Sequence, residues 1–95
     1  MKFLAIEKEV PGVTDEQCTP HLRHEAERAW ELYQKGSIRE LYFRADKPEA
    51  ILVLECENMQ EATTVIDSLP LVKKHLIVFE VIPLAAYPGF ARLFG

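Results

Sequence analysis

Cysteine is scarce in this 95-residue sequence, and the two that occur lie far apart. Cys18 and Cys56 have no CxxC or CxxH companions, which excludes a disulfide scaffold and a structural zinc site. We therefore expect reduced thiols and a cytoplasmic location. Glycine and proline are also few, at 4 and 6 residues, and 48% of the residues are hydrophobic. This composition excludes collagen-like, low-complexity and disordered classes. The length predicts one folded domain over residues 1–95.

Positive charge is in the minority, because 11 Lys and Arg stand against 15 Asp and Glu, for a formal net charge of -4. A chain of this charge has no general attraction to phosphate backbones, so nucleic acid is not an expected partner. No apolar run reaches the ~20 residues of a membrane helix. The most apolar stretch, residues 76–91, contains Glu80, Pro83 and Pro88. Acidic residues also interrupt the N-terminal region where a signal peptide would remain apolar. Neither a membrane span nor a targeting segment is predicted.

Apolar periodicity predicts the element order βαββαβ. Four β-rich runs bounded by breakers are predicted strands, at residues 2–8, 38–44, 50–56 and 76–82.

Two amphipathic helices are predicted between these strands. The first is expected to open at Thr19 and Pro20 and to stop at Gly36. The second follows Asn58 and ends at Pro70. The first helix carries an apolar stripe that we expect to pack in the core, made of Leu22, Ala26, Ala29, Trp30 and Tyr33.

The order of elements gives a ferredoxin-like α+β fold, because two right-handed βαβ crossovers produce a four-stranded antiparallel sheet with both helices on one face. The other face carries Val53, Val78 and Ile82. Since a sheet face open to water is normally polar, we expect a second subunit's sheet to pack on it in a homodimer. The C-terminal tail predicts larger homo-oligomers as well, through its apolar residues Tyr87, Phe90, Leu93 and Phe94.

Two glutamates within apolar strands are candidates for proton transfer. Glu55 and Glu80 are assigned to the open sheet face, where a dimer would exclude water and raise the pKa of each. A carboxylate with such a pKa can accept and return a proton near neutral pH. The alternative for both residues is ion pairing at the rim of the sheet.

Three residues of the second strand are candidates for holding an anionic substrate. The guanidinium fork of arginine matches a carboxylate and tyrosine adds a polar contact, which points to Arg39, Arg44 and Tyr42. Arg39 is expected to project opposite to the other two unless a bulge intervenes.

His24 belongs to a set of side chains that could bind metal, spaced three residues apart with Cys18 and His21. A structural zinc site needs four ligands at recognisable spacings, so no metal site is predicted, and solvated or ion-paired histidines are the alternative. His24 is kept as a candidate substrate contact. No Gly-rich phosphate loop, GxSxG elbow or HExxH helix occurs, so no cofactor is predicted.

Most of the chain resembles the muconolactone isomerase family. The family's Gly-x-x-Arg-x-Leu strand is matched by Gly36, Arg39 and Leu41, a Leu-Pro-Leu at 69–71 follows the second helix, and the last strand runs through 80–83. The resemblance implies ferredoxin-like dimers with packed sheets, that is, a dimeric α/β barrel, often gathered into larger rings. It also implies isomerisation of a lactone without a cofactor, by moving a proton beside a carbonyl.

We therefore expect a protein that takes up a lactone or a related small anionic compound and isomerises it by proton transfer. Glu80 and Tyr42 are the expected catalytic residues, and the expected substrate-binding residues are Arg39, Arg44, Glu55 and His24. Two alternatives stay open: a monooxygenase of the dimeric α/β barrel type, and a non-catalytic ligand-binding or assembly module. A solidly filled space beneath the helices would favour the module.

Overall fold

The computed structural model describes all residues, 1–95. Its strands are β1 (Lys2–Glu9), β2 (Ile38–Phe43), β3 (Ala50–Glu55) and β4 (Ile77–Pro83). Its helices are α1 (Asp15–Cys18), α2 (Leu22–Lys35), α3 (Met59–Asp67) and α4 (Pro70–Lys73). Short 3₁₀ turns cover Thr19–His21 and Gly89–Leu93. The predicted order of four strands and two main helices is confirmed, and the short helices α1 and α4 are additions to it.

The four strands form one antiparallel sheet in the order β2-β3-β1-β4. β1 lies in the middle, paired with β3 on one side and β4 on the other. This order is the one that two right-handed βαβ crossovers produce. The ferredoxin-like α+β fold is therefore confirmed, and the dimeric barrel stays a prediction.

The hydrophobic core lies between one face of the sheet and helices α2 and α3. Phe3 and Ala5 of β1 and Leu52 and Leu54 of β3 are at most 5% exposed, because alternate residues of a strand share a face. The helices cover these side chains with Leu32, Ala62, Val65 and Ile66.

The predicted start of the first helix at Thr19 and Pro20 falls between two helices, because α1 begins upstream at Asp15 and the main helix α2 begins at Leu22. Thr14 forms a capping box with Gln17, in which Thr14 Oγ1 accepts the Gln17 N–H and Gln17 Oε1 accepts the Thr14 N–H at 2.8 Å. Thr19 is not an N-cap, since its hydroxyl donates to the carbonyl oxygen of Asp15 at 2.9 Å. Pro20 lies in the 3₁₀ turn that leads into α2. The Thr19 prediction was wrong because a complete capping box upstream already satisfies the first free N–H groups.

Leu22, Trp30 and Tyr33 do not belong to the core, contrary to the prediction from the apolar stripe of α2. They are 50%, 59% and 47% exposed, and the residue of α2 that is buried is Leu32. The rings of Trp30 and Tyr33 stack with their centroids 5.9 Å apart. The predicted end of this helix is correct, because Gly36 follows Lys35 with a φ of 83°, which glycine adopts without strain.

A β-bulge interrupts the pairing of β2 with β3. Ile38 lies opposite Leu54 and Glu40 lies opposite Val53, so Arg39 is the extra residue. Beyond the bulge, Leu41 and Phe43 share the helix-covered side of the sheet with Leu52 and Ala50, while Glu40 and Tyr42 lie on the open face.

The open sheet face and the C-terminal tail leave apolar surface exposed in the single chain. Val78 is 47% exposed, and Tyr87, Phe90, Leu93 and Phe94 of the tail are between 67% and 87% exposed. The radius of gyration is 15.3 Å, whereas about 12 Å is usual for a domain of this length. These surfaces favour the predicted self-association, which stays a prediction. None of the helices is both long enough and apolar enough to cross a membrane.

Candidate active site

A cavity of about 470 Å³ lies between the helix-covered side of the sheet, helix α2 and the segment leading into α4. Its size falls in the range of small-molecule sites. Twelve of its fourteen lining residues are hydrophobic; the lining residues are Glu7, Leu22, Glu25, Ala26, Ala29, Leu41, Tyr42, Phe43, Ala50, Leu52, Leu69, Leu71, Ile77 and Phe79.

Small side chains account for the open space. Ala26 and Ala29 line the cavity from α2, and Ala50 lines it from β3. Protein interiors are normally filled to crystal-like density, so a methyl group in place of a large side chain leaves a gap that neighbours close only in part. The space beneath the helices is therefore open, whereas a solidly filled space would have favoured an assembly module.

Glu7 is one of only two charged residues in the cavity wall. It follows Phe3 and Ala5 in the alternation of β1, and therefore points to the same helix-covered side. Its Oε1 accepts the backbone N–H of Ala50 at 3.0 Å. Burial raises the pKa of Glu7, the Ala50 hydrogen bond opposes this, and the charges of Glu49 and Glu9 raise it further.

Glu25 is the other charged residue, and it enters the cavity from α2. Its Oε1 accepts the backbone N–H of Leu71 at 2.9 Å. Burial raises the pKa of Glu25, the Leu71 hydrogen bond opposes this, and the charge of Glu7 raises it further. Each carboxyl is thus held by one oxygen, which leaves the other oxygen free to meet a ligand.

Sequence reasoning did not single out Glu7 or Glu25. The available signal was an acid at an apolar position of the periodic pattern. Glu7 continues the inward series of Phe3 and Ala5, and Glu25 lies three residues after Leu22 and four before Ala29 on the stripe of α2. Leu71, whose N–H binds the Glu25 carboxyl, lies 46 residues after Glu25 in the chain. No local sequence pattern reveals that contact.

The predicted catalytic residues Glu80 and Tyr42 lie at the two ends of one row across the open face. Tyr42 pairs with Ile51, Ile51 with Ile6, and Ile6 with Glu80. Three strand spacings of about 4.8 Å place their backbones roughly 14 Å apart within one chain. The structure does not bring them together in a single subunit.

The surroundings of these two side chains are polar. The Tyr42 hydroxyl donates to Glu40 Oε1 at 2.6 Å, and this hydrogen bond raises the pKa of Tyr42. Glu80 Oε1 lies 3.9 Å from Lys8 Nζ, and the Glu80 side chain is 57% exposed. Tyr42 is the only one of the six predicted site residues that lines the cavity.

The predicted substrate-binding residues are distributed around the sheet. Arg44 donates to both carboxylate oxygens of Asp46, at 2.8 and 2.6 Å, and more weakly to Glu49. Arg39 donates to the carbonyl oxygen of Gly36 at 2.8 Å, so its side chain folds back on the end of α2. His24 is exposed on α2. None of the three reaches the cavity wall.

Glu55 pairs with the N-terminal ammonium group of Met1. This hydrogen bond lowers the pKa of Glu55 in the single chain. The raised pKa expected for Glu55 depends on burial under a second subunit's sheet and stays a prediction.

Comparisons with known proteins agree with this fold. The family profile of muconolactone delta-isomerase matches residues 1–89. A crystal structure of muconolactone isomerase at 3.3 Å resolution superposes with a TM-score of 0.75 at 22% identity, covering 93% of this chain and 92% of that one. A 5-chloro-2-hydroxyhydroquinone dehydrochlorinase from Burkholderia phenoliruptrix AC1100, in complex with 2,5-dihydroxybenzoquinone, superposes with a TM-score of 0.70 at 18% identity, covering 94% and 98%. A search of curated protein sequences gave no match.

Proposed function

Because the chain belongs to the muconolactone delta-isomerase family, we propose that it is a small-molecule enzyme that moves a proton on a cyclic carbonyl compound such as a lactone. The observation that carries this proposal is the pair of carboxyls, Glu7 and Glu25, facing one apolar cavity with raised pKa values. The two similar structures are named for an isomerase and a dehydrochlorinase, which supports chemistry of the isomerase or lyase type.

The two carboxyls are suited to act as one base and one acid. Burial and the charge of Glu7 both disfavour ionisation of Glu25, so each carboxyl takes up a proton more readily than a solvated glutamate does, and the mechanism requires that the pair holds one proton. The ionised member removes a proton from the carbon beside the carbonyl, and the electrons of that C–H bond form a C=C bond. The protonated member gives its proton to the carbonyl oxygen, so an enol forms without net charge separation. The first carboxyl then gives its proton to a different carbon of the conjugated system, the enol O–H proton returns to the second carboxylate, and the C=O bond re-forms, which completes an isomerisation.

The backbone hydrogen bonds fix the direction of each carboxyl. Ala50 holds Glu7 from the sheet and Leu71 holds Glu25 from the start of α4. A general base must lie within hydrogen-bond reach of the proton that it takes, and a carboxyl anchored by one oxygen keeps its free oxygen in a defined position. The resemblance implies that no cofactor takes part, and the acid and base needed are both residues of this chain.

The residues proposed from the sequence define a second arrangement of the same chemistry. Glu80 would be the base on the open sheet face, with Tyr42 beside it and Arg39 or Arg44 holding the carboxylate of an anionic substrate. This arrangement requires a second subunit to cover Glu80, which is 57% exposed in the single chain. It is retained as the competing prediction. The monooxygenase alternative is separated from both by measuring oxygen uptake with quinol-like substrates.

The test measures by NMR how fast the C–H protons of a panel of lactones exchange for deuterium in deuterated buffer. A general base contributes about 10²–10⁴-fold, so Glu7→Gln and Glu25→Gln should each lower the exchange rate on that scale. Glu80→Gln should exchange at the wild-type rate. The opposite pattern, loss with Glu80→Gln alone, would transfer the activity to the open face. No exchange above the buffer rate for any lactone would refute both arrangements.

A further inference from the structure

Two side-chain hydrogen bonds join helix α2 to residues 68–71, at the junction of α3 and α4. Glu25 Oε1 accepts the Leu71 N–H at 2.9 Å, and Arg28 Nε donates to Ser68 Oγ at 3.0 Å. Glu25 and Arg28 are three residues apart and therefore lie on the same side of α2. The two bonds thus lie about one helical turn apart, and only the first involves a group of the proposed active site.

Ser68 is a fixed partner for the Arg28 guanidinium. Its hydroxyl donates to the carbonyl oxygen of Val65 at 2.7 Å, which uses its one proton and leaves its oxygen to accept from Arg28. The next residue, Leu69, is 2% exposed, and Pro70 begins α4 with the φ that its ring imposes. Arg28 therefore contacts this segment at a point that is anchored to the core.

The two bonds respond differently to the protonation of Glu25. A hydrogen bond to a charged group is roughly twice as strong as one between neutral groups, so the bond from Leu71 weakens when the Glu25 carboxylate takes up a proton. The Arg28 guanidinium stays charged, and its bond to Ser68 does not depend on the state of Glu25. Of the two bonds, only that of Arg28 holds α2 in the same place while the carboxyl gains and loses a proton.

We infer that Arg28 and Ser68 are positioning residues, whose hydrogen bond fastens α2 to the start of α4 and so fixes the place of the Glu25 carboxyl in the cavity. This inference rests on the proposed function and adds to it two residues that lie outside the cavity wall. A carboxyl that transfers a proton must stay within hydrogen-bond reach of it, and a misplacement of about 1 Å can cost about 10²-fold in rate.

The first test removes the anchor without changing any charge. Ser68→Ala deletes the hydroxyl, and carbon-13 NMR follows the titration of the Glu25 carboxyl. Burial raises the pKa of Glu25 and the Leu71 N–H lowers it. A less firmly held α2 weakens the bond from Leu71, so we expect Glu25 to titrate at higher pH in Ser68→Ala than in the wild type. An unchanged titration would overturn the inference.

Other charges near Glu25 stay the same in this variant. The titratable side chains of the neighbouring elements are Glu7 of β1 and Tyr42 of β2, which line the same cavity, and the exposed Lys73 of α4. Ser68→Ala alters none of them. A change in the titration of Glu25 therefore reports its geometry.

The second test measures proton exchange on the lactone that the wild type exchanges fastest. Ser68→Ala should lower the rate at least about 5-fold, chiefly in kcat, because the cavity wall is unchanged. Arg28→Met removes the other partner of the same bond and should act alike. The double variant should lose little more than the stronger single variant, because both changes remove one contact. Losses that multiply would overturn the inference.

Three variants separate positioning from a general effect on stability. Ser68→Thr keeps the hydroxyl and should keep the wild-type titration and rate. Thr64→Ala is the matched control, because its hydroxyl donates to the carbonyl oxygen of Gln60 at 2.9 Å on the exposed side of α3. Glu31→Gln removes the other partner of Arg28, which lies 3.3 Å from it. Both controls should titrate and exchange like the wild type, and effects equal to those of Ser68→Ala would overturn the inference.

Titration and turnover separate this inference from the proposed function. A higher Glu25 titration in Ser68→Ala, with no exchange by the wild type on any lactone, supports the positioning and refutes the proposed function. Exchange by the wild type, with the titration and the rate unchanged in Ser68→Ala, supports the proposed function and overturns the positioning.

Discussion

Glu7 and Glu25 enter one apolar cavity from the two layers of the fold, and a backbone N–H holds Oε1 of each carboxyl. Glu7 comes from the sheet and Glu25 from helix α2, so the distance between them depends on how α2 packs on the sheet. The charge of Glu7 raises the pKa of Glu25. A change in either residue should therefore alter the ionisation of the other.

The raised pKa values of these carboxyls predict a pH-dependent gain in stability when either becomes glutamine. A folded-state pKa above the ordinary value of 4.5 gives a stability contribution that is full below that value and is lost as pH rises through the folded pKa. Glutamine stays uncharged and keeps an oxygen for the backbone N–H. At pH 7, Glu7→Gln should melt above the wild type, and the gap should shrink below about pH 4.5.

Differential scanning calorimetry of both proteins across this pH range provides the measurement. The contributions of other acids, such as Asp46, to the pH dependence of the melting temperature cancel in the comparison, because both proteins contain them. A lower melting temperature for the variant at pH 7, with a gap that does not change with pH, would contradict the prediction. The stabilised variant should also be the less active one, as is common where a strained site serves catalysis.

Filling the cavity should lower the proposed activity while leaving the fold intact. Ala29→Leu adds a larger side chain at a position of α2 that lines the cavity, where the open space can receive it. We expect at least about a 10-fold lower rate of proton exchange on lactones, because the substrate can no longer lie between the two carboxyls. The unfolding free energy should change by no more than about 1 kcal/mol, below the 1–3 kcal/mol typical of an overpacked core. Exchange NMR and urea unfolding measure the two effects.

Ala45→Leu is the matched control, because Ala45 is exposed in the loop between β2 and β3. It should retain the wild-type exchange rate. A wild-type exchange rate in Ala29→Leu would place the active site outside the cavity.

Self-association through the open sheet face predicts that Val78→Asp yields a monomer. Val78 is 47% exposed in the single chain, and in a face-to-face dimer the new carboxylate would be buried without a partner, at a cost of several kcal/mol. Light scattering at micromolar concentration should report the mass of one chain for the variant and a multiple of it for the wild type. Thr64→Asp, on the exposed side of α3, should leave the mass unchanged. A monomeric wild type would rule out the dimer.

Replacement of Gly36 should lower the stability of the fold for a purely conformational reason. Its φ is 83°, and a Cβ added there would lie 3.7 Å from the Arg39 side chain, an ordinary contact. Gly36→Ala should therefore lower the unfolding free energy by about 1 kcal/mol through the left-handed backbone alone. Urea unfolding measures the change. Gly95→Ala, at a position without a positive φ, should unfold like the wild type.

The strands and the faces of the sheet on which their side chains lie were predictable, because both follow from the side to which alternate residues of a strand point. The burial of Leu52 and Leu54 and the exposure of Val78 agree with the faces assigned from the sequence. The bulge at Arg39 was not predictable, because it is set by the pairing of β2 with β3 and leaves no mark in the pattern of β2 itself. The upstream start at Thr14 was visible as a Thr-x-x-Gln capping box, but the Thr19-Pro20 pair gave a competing signal.

The candidate site was less predictable than the fold. The resemblance to the family implied proton transfer in general terms, and the sequence predicted the base at Glu80 on the open face, which stays a prediction. Glu7 and Glu25 were not recognised because a single acid in an apolar series is usually a solvated residue at the edge of a pattern. The role proposed for them depends on the shared cavity and on two backbone donors, Ala50 and Leu71, that lie 43 and 46 residues away in the chain.

The hydrogen bond between Ala50 and Glu7 also limits how this sequence can vary. Backbone pairing of β1 with β3 runs from Lys2 opposite Glu55 to Ile6 opposite Ile51, and beyond it the Ala50 N–H is satisfied by the Glu7 side chain. Replacement of Glu7 by leucine would remove the acid. It would also leave the half-buried Ala50 N–H without an acceptor, which costs about 1–3 kcal/mol. Relatives that lose the activity are therefore expected to keep glutamine or another hydrogen-bond acceptor here, so an acceptor at this position is not by itself evidence of catalysis.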